Sequence, residues 1–254
     1  MLLEGKKLLI TGVLTEKSIA YAVAELALEQ GAEIVLTGAG RGLKLTQRTA
    51  RRLPSTPDVL EMDVTVPAQI DAVRDNLQER WGKVDGILHS IGFAPSDCLG
   101  GGFLDAPWES VATAIHISTY SLAAILGSFR PLLGQGASVV TLDFDAGVAW
   151  PAYDWMGVAK AGLESLVRYA TRDLGASGVR VNAVASGPLK TMAAKSIPGF
   201  RAFEDAWVEK APLGWDITDP LPTARAVCAL FSEWLDGVTG EIVHVDGGYH
   251  AIGA

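Results

Sequence analysis

Leu8-Leu9-Ile10-Thr11-Gly12-Val13-Leu14-Thr15-Glu16-Lys17-Ser18-Ile19-Ala20 carries the first decision about the fold. Leu8 to Thr11 is a short apolar run of strand length, and Gly12 then lets the chain turn tightly. From Ser18 to Gln30 the pattern is that of a helix, and Gly31 ends it. A strand feeding a helix through a glycine turn is the opening unit of a parallel sheet.

Outward from that unit the alternation continues. Strands are expected at Glu33–Thr37, Val59–Met62, Gly86–His89, Ala137–Leu142, Val179–Val184 and Glu241–Val245. Helices are expected at Lys44–Leu53, Pro67–Trp81, Trp108–Phe129, Tyr153–Leu174 and Ala224–Leu235, with an irregular segment at about 190–220. The strands mostly lack polar alternation, as strands covered on both faces should. No internal repeat, low-complexity tract or linker interrupts the pattern. The expected fold is therefore α/β: a single domain over 1–254, a doubly wound (Rossmann) parallel seven-stranded sheet with helices on both faces.

Composition agrees. The 254 residues are 49% hydrophobic and 20% charged, enough for one large core and too ordered in character for extended disorder. The formal charge of −8 argues against a nucleic-acid partner. Cys98 and Cys228 have no metal or disulfide spacing and read as plain thiols. The start of the chain lacks the pattern of a signal peptide, and no apolar run is expected to approach the roughly 20 residues of a membrane span. The expected location is the cytoplasm.

In such sheets ligands lie beyond the carboxyl ends of the strands, where a helix starting near Ser18 would aim its free N–H groups. Gly12 would turn closely there, and Ser18 could cap the helix and touch a phosphate oxygen. The full G-x-G-x-x-G is absent, so an ordinary strand–loop–helix has the same look. After the second strand no acidic residue is present, and Arg41 would tolerate a 2′-phosphate, so NAD and NADP both stay open. Asp63 could accept from an adenine amine with Val64 against the ring face; a turn aspartate is the plain alternative. Gly92, after Ser90-Ile91, could let the backbone approach a ribose, or serve only as a turn.

Tyr153-Asp154-Trp155-Met156-Gly157-Val158-Ala159-Lys160 is the sharpest local feature. Seven residues turn through about 700°, about 20° short of two helical turns, so Tyr153 and Lys160 share one helix face about 10 Å apart, with Met156 between. An ammonium there can hold ribose hydroxyls, and a phenol can donate to an oxygen gaining charge. A Tyr capping a core helix and a Lys reaching solvent would share the spacing.

Taken together, the chain resembles the short-chain dehydrogenase/reductase superfamily, and within it the divergent enoyl-[acyl-carrier-protein] reductases. The resemblance rests on Gly12-x5-Ser18-Ile19-Ala20, His89-Ser90-Ile91-Gly92-Phe93, His116-Ile117-Ser118-x-Tyr120-Ser121, Asp143-Phe144-Asp145, Tyr153-x6-Lys160, Gly187-Pro188-Leu189-Lys190-Thr191 and Asp246-Gly247-Gly248. It covers residues 5–250 and is closest to the mycobacterial NADH-dependent type. It implies NADH-dependent reduction of a trans-2-enoyl thioester on acyl carrier protein, with NADPH still open. It further implies that Tyr153 stabilises the thioester oxygen, Lys160 holds the nicotinamide ribose and Phe144 orients the substrate, with Met156 lining the acyl slot. Gly12, Ser18, Ile19, Asp63, Val64, Ser90, Ile91, Gly92, Leu189 and Thr191 would hold the cofactor. A homotetramer is implied, partly through the helices beginning at Trp108 and Tyr153.

The superfamily's carbonyl reductases carry a serine about 13 residues before the tyrosine; here the neighbourhood is Val140-Thr141, so a carbonyl reductase acting through Thr141 stays open. A silent dinucleotide sensor is a third possibility, though it would need neither Tyr153 nor Lys160. The segment 190–220 is expected to form a substrate-binding loop with an apolar lid from Ala193, Ala194, Ile197, Phe200, Phe203 and Trp207. Its modest length suggests short to medium acyl chains. Lys190, Lys195, Arg201 and Lys210 could dock an acidic carrier, or be scattered solvated charges.

Overall fold

The computed structural model describes residues 1–253. Seven parallel strands form one sheet in the order β3-β2-β1-β4-β5-β6-β7. They are β1 (Lys7–Thr11), β2 (Glu33–Gly38), β3 (Val59–Glu61), β4 (Gly86–His89), β5 (Ser138–Asp143), β6 (Arg180–Ser186) and β7 (Ile242–Val245). Order reverses between β1 and β4, which pair directly through Leu8–Gly86, Leu9–Ile87 and Ile10–Leu88. That reversal opens a crevice at the strands' carboxyl ends, the ligand position of doubly wound sheets.

The helices are α1 (Ile19–Glu29), α2 (Gly40–Ala50), α3 (Pro67–Trp81), α4 (Trp108–Ile115), α5 (Ser121–Phe129), α6 (Asp154–Leu174), α7 (Arg201–Lys210) and α8 (Leu221–Phe231). Two cores result. One packs α1 and α8 on the sheet through Val23, Ala27, Val227 and Phe231; the other packs α3, α5 and α6 on the opposite face through Leu77, Phe129, Leu163 and Val167. β5 and β6 are buried throughout.

Several boundaries differ from expectation. α2 starts at Gly40, before Lys44, because two glycines hid its first turn. α8 starts at Leu221, with a proline in its first turn, and ends at Phe231. The helix expected over Trp108–Phe129 is broken by a π-helical turn, His116–Tyr120. Such insertions often mark functional positions. The irregular segment 190–220 contains α7 and a 3₁₀ turn, Ala194–Ser196.

The expectation of no long apolar run is also corrected. Trp108–Leu132 is 25 residues of helix in which α, π and 3₁₀ turns follow one another, and an 18-residue stretch within it has mean hydropathy 1.3, long and apolar enough to cross a membrane. Its Leu122, Ile125 and Phe129 are fully buried against the sheet, so the hydropathy belongs to a core helix. Both cysteines are free and buried.

Candidate active site

A cleft of about 440 Å³ runs across the carboxyl ends of the strands. Its walls include Gly12, Ser18, Ile19, Ser90, Ile91, Gly92, Phe144, Tyr153, Met156, Lys160, Leu189 and Thr191, so the structure brings together most of the residues read from sequence.

At the β1 end, Gly12 has φ +83°, and a Cβ there would stand 2.1 Å from the Ser90 carbonyl oxygen. Only glycine permits that approach. Thr11 Oγ1 donates to the Leu88 carbonyl (3.0 Å) and accepts from the Ser90 N–H (2.9 Å), tying the two loops on either side of the topological switch. Ser18 precedes α1 but does not cap it. Its hydroxyl turns back and accepts from the N–H groups of Leu14 (3.3 Å) and Thr15 (3.0 Å). It shapes the glycine turn ahead of α1, and Ser18 and Ile19 stand on the cleft wall.

Asp63 and Val64 do not line the cleft. Asp63 Oδ1 accepts from Thr65 N–H (2.9 Å) and Thr65 Oγ1 (2.7 Å), a turn that leads into α3. Val64 is buried in the core beside Met62 and Ile70. Sequence spacing placed both residues at the right strand end but could not show where the side chains point. Further along, Ser118 on the π-helical turn accepts from the Phe93 N–H (2.9 Å) and donates to the Phe93 carbonyl (2.8 Å). These two hydrogen bonds fix the Phe93 end of the Ser90–Phe93 wall.

At the β5 end, Tyr153 is not the first residue of a helix but the last of the turn before α6. Ala152 (φ +59°) and Asp154 (φ +41°) flank it in the left-handed region, which is strained for residues with a Cβ. A glycine loop braces the turn: Gly100 N–H donates to the Ala152 carbonyl (3.0 Å) and Gly101 N–H to Asp154 Oδ2 (2.7 Å). The buried phenol of Tyr153 is pushed well above its ordinary range by desolvation and by the Asp143 carboxylate. Phe144 packs edge-on against it at 5.2 Å and also meets Trp150, Phe203 and Trp207. Trp207 in turn stacks on Tyr249 at 3.8 Å. Trp150 and Tyr249 carried no spacing signal in the sequence; contacts between distant segments create this cluster.

Lys160 is buried on α6. Its Nζ donates to the Leu142 carbonyl (2.8 Å) and lies 3.7 Å from Asp143 Oδ1. Burial pulls its pKa down against the pull of Asp143. Asp143, at the end of β5, is a site residue beyond those expected from sequence; a carboxylate at the end of a central parallel strand is the signal it carries. Behind the wall, His89 Nδ1 lies 2.8 Å from Thr141 Oγ1 and His89 Nε2 lies 2.8 Å from Ser121 Oγ. All three are fully buried and outside the cleft. Desolvation first, then Lys160, lowers the His89 pKa to about 3, so the imidazole is neutral. Among the described residues no cluster of three or more His, Cys, Asp or Glu could hold a metal ion.

Comparison with known proteins agrees with this geometry. A family model described as Enoyl-(Acyl carrier protein) reductase matches residues 12–250. The chain is 44% identical to the Enoyl-[acyl-carrier-protein] reductase [NADH] of Mycolicibacterium smegmatis, covering 97% of each chain. It is 41% identical to the protein of that name from Mycobacterium avium, again over 97% of each. It is also 41% identical to the Enoyl-[acyl-carrier-protein] reductase [NADH] FabI of Aquifex aeolicus, over 99% of this chain and 94% of that one. With a family match over residues 12–250 and a relative 44% identical over 97% of each chain, the chain belongs to the enoyl-(acyl carrier protein) reductase family.

Proposed function

We propose that this chain reduces the trans-2 double bond of an acyl thioester on acyl carrier protein, using NADH, in type II fatty-acid synthesis. The observation that carries the reading is selective exposure. The cleft presents one phenol and one ammonium, Tyr153 and Lys160, while the Thr141 hydroxyl is sealed behind the sheet against His89. A carbonyl reductase would need that hydroxyl beside the phenol, so the alternative loses its donor.

The residues present fit a dinucleotide: a side-chain-free approach at Gly12, the start of α1 on the cleft wall, and a buried ammonium on the far wall. Gly12, Ile19, Ser90, Ile91 and Gly92 would hold its phosphate and ribose end, Lys160 the nicotinamide ribose, and Leu189 and Thr191 the remaining loop contacts. The names of the relatives favour NADH. When bound, NADH supplies hydride to the β-carbon of the substrate. Tyr153 then donates to the thioester oxygen on which enolate charge gathers. Its raised pKa keeps the phenol protonated, so it acts as a hydrogen-bond donor, not as a base. Phe144 and Met156 wall the acyl slot and exclude water. The segment 190–220, whose Phe203 and Trp207 are its buried face, would be the substrate-binding flap, suited to short and medium chains.

Of the basic residues near this flap, Lys190 pairs with Glu204 (3.5 Å) and Arg201 with Asp205 (3.8 Å), which leaves Lys195 and Lys210 to meet an acidic carrier. A homotetramer is supported by a groove between α5 and α6, lined by the exposed Tyr169 and the half-buried Leu166 and Ala170. Two free thiols suit a cytoplasmic location.

Loss of NADH absorbance with 2-enoyl-CoA, and none with 3-oxoacyl-CoA, is the expected result; the reverse would restore the carbonyl reading. Tyr153→Phe should slow turnover about 10²-fold or more with NADH affinity unchanged. Lys160→Ala should weaken NADH binding.

A further inference from the structure

Asp143 is a buried carboxylate with no hydrogen bond to either oxygen. Such a group is expensive to ionise unless a compensating charge stands near. The compensating charge is Lys160, whose Nζ lies 3.7 Å from Oδ1, inside ion-pair range but too long for a direct hydrogen bond. The ammonium already gives one N–H to the Leu142 carbonyl at 2.8 Å. Leu142 and Asp143 therefore restrain it from the β5 side, and its free direction is the cleft.

The other titratable groups around Asp143 are few. Glu164, one turn beyond Lys160 on α6, faces the same carboxylate, and its Oε1 accepts from the Ala146 N–H at 3.0 Å. Tyr153 lies in front, and neutral His89 feels Lys160 from β4.

We propose that Asp143 is a positioning residue: its carboxylate holds the Lys160 ammonium charged and aimed into the cleft, toward the ribose hydroxyls of the nicotinamide cofactor. The inference rests on the reading of Lys160 as a cofactor ligand. Burial is the main cause that raises the Asp143 pKa to about 7; Lys160 opposes it and Glu164 adds to it. The restraint is thus strong above neutrality and fades as Asp143 protonates. NADH affinity of the parent protein should fall as the pH drops through about 7.

The test measures NADH dissociation constants by nicotinamide fluorescence from pH 6 to 8.5, on the parent, Asp143→Asn and Glu164→Gln. Asp143→Asn should bind NADH about tenfold more weakly at the alkaline end and show a flat profile. Glu164→Gln removes a like charge, so its acid limb should move to lower pH; this variant carries the test if Asp143→Asn does not fold. A second readout needs no cofactor. Trace acetylation of Lys160 in the free protein, followed by mass spectrometry, should begin at lower pH in Asp143→Asn, because the ammonium has lost its counter-charge. A merely structural role would lower affinity equally at every pH and leave the acetylation profile in place, and that result overturns the proposal. Absence of NADH binding by the parent would defeat the cofactor reading; tight binding with an Asp143→Asn profile like the parent's would defeat this inference alone.

Discussion

The two ends of the cleft are built on opposite principles. At the β1–α1 turn the walls are backbone: Gly12 lies against the Ser90 carbonyl, and the Ser18 hydroxyl serves its own loop. At the β5–α6 corner the walls are titratable side chains buried together: Asp143 and Lys160 and, behind them, the neutral His89. The first end has no room for a methyl group and carries no charged side chain on its inner surface. The second has room but couples every proton to its neighbours. Steric change should therefore be severe at one end, and change of charge or pH should register at the other.

The largest expected effect is at Gly12. In Gly12→Ala the new Cβ would stand 2.1 Å from a backbone oxygen and 2.9 Å from Ser90 Oγ, with φ at +83°. Overpacking and the left-handed backbone together should cost about 3 kcal/mol or more. For a chain of this size that lowers Tm by roughly 10 °C, and NADH binding should go with it. Thermal unfolding decides: a drop of only about 2 °C would mean that the β1 and β4 loops separate easily and that the rigidity assigned to this end is wrong.

The charged corner should show itself in acid. His89 has a folded pKa of about 3, below its ordinary 6.5, so the unfolded chain binds the extra proton and stability is lost as pH falls through that window. Asp143 has the opposite sign. Its pKa is raised from 3.8 to about 7, so its contribution is fully present below about 4 and lost as pH rises toward 7. In the parent protein the two slopes oppose each other. Asp143→Asn removes one, and its Tm should fall more steeply than the parent's between pH 6.5 and 4. The two profiles should diverge by on the order of 2 kcal/mol. Parallel profiles would show that Asp143 titrates as an ordinary carboxylate and that the corner is not coupled.

The same contrast explains what could be read from the sequence. Strand and helix order was legible because buried parallel strands are continuous apolar runs, and Tyr153-x6-Lys160 was legible because its two ends fall on one helical face. Direction was not. Ser18 has the right identity and place for a cap, yet local N–H groups at Leu14 and Thr15 compete for its oxygen. Val64 follows its strand as expected, but the turn made by Asp63 and Thr65 points it into the core. The π-helical turn at His116–Tyr120 was hidden because one extra residue barely disturbs helical periodicity. α7 was partly visible: Phe200, Phe203 and Trp207 follow the three-then-four spacing of a buried helix face, and the latter two are buried. Asp143 stayed unassigned because its meaning lies in a lysine 17 positions away, brought near by the β5–α6 crossover.

The smallest expected effect tests whether the charged corner does have room. Gly157 lies in the first turn of α6, just after Tyr153, and a Cβ there would meet Tyr153 Cδ1 at 3.6 Å, an ordinary contact. Its φ is not positive, so nothing in the backbone requires glycine. Alanine is favoured over glycine in a helix by about 0.8–1 kcal/mol, and it also reduces the freedom of the unfolded chain. Gly157→Ala should therefore raise stability by about 0.5–1 kcal/mol, a Tm increase of about 2 °C, with kcat unchanged. The same change of one methyl group would then stabilise this end and cripple the other. A rise in Tm accompanied by a fall in kcat would have a specific meaning: the phenol ring must swing toward α6 during turnover, and glycine is kept there to let it.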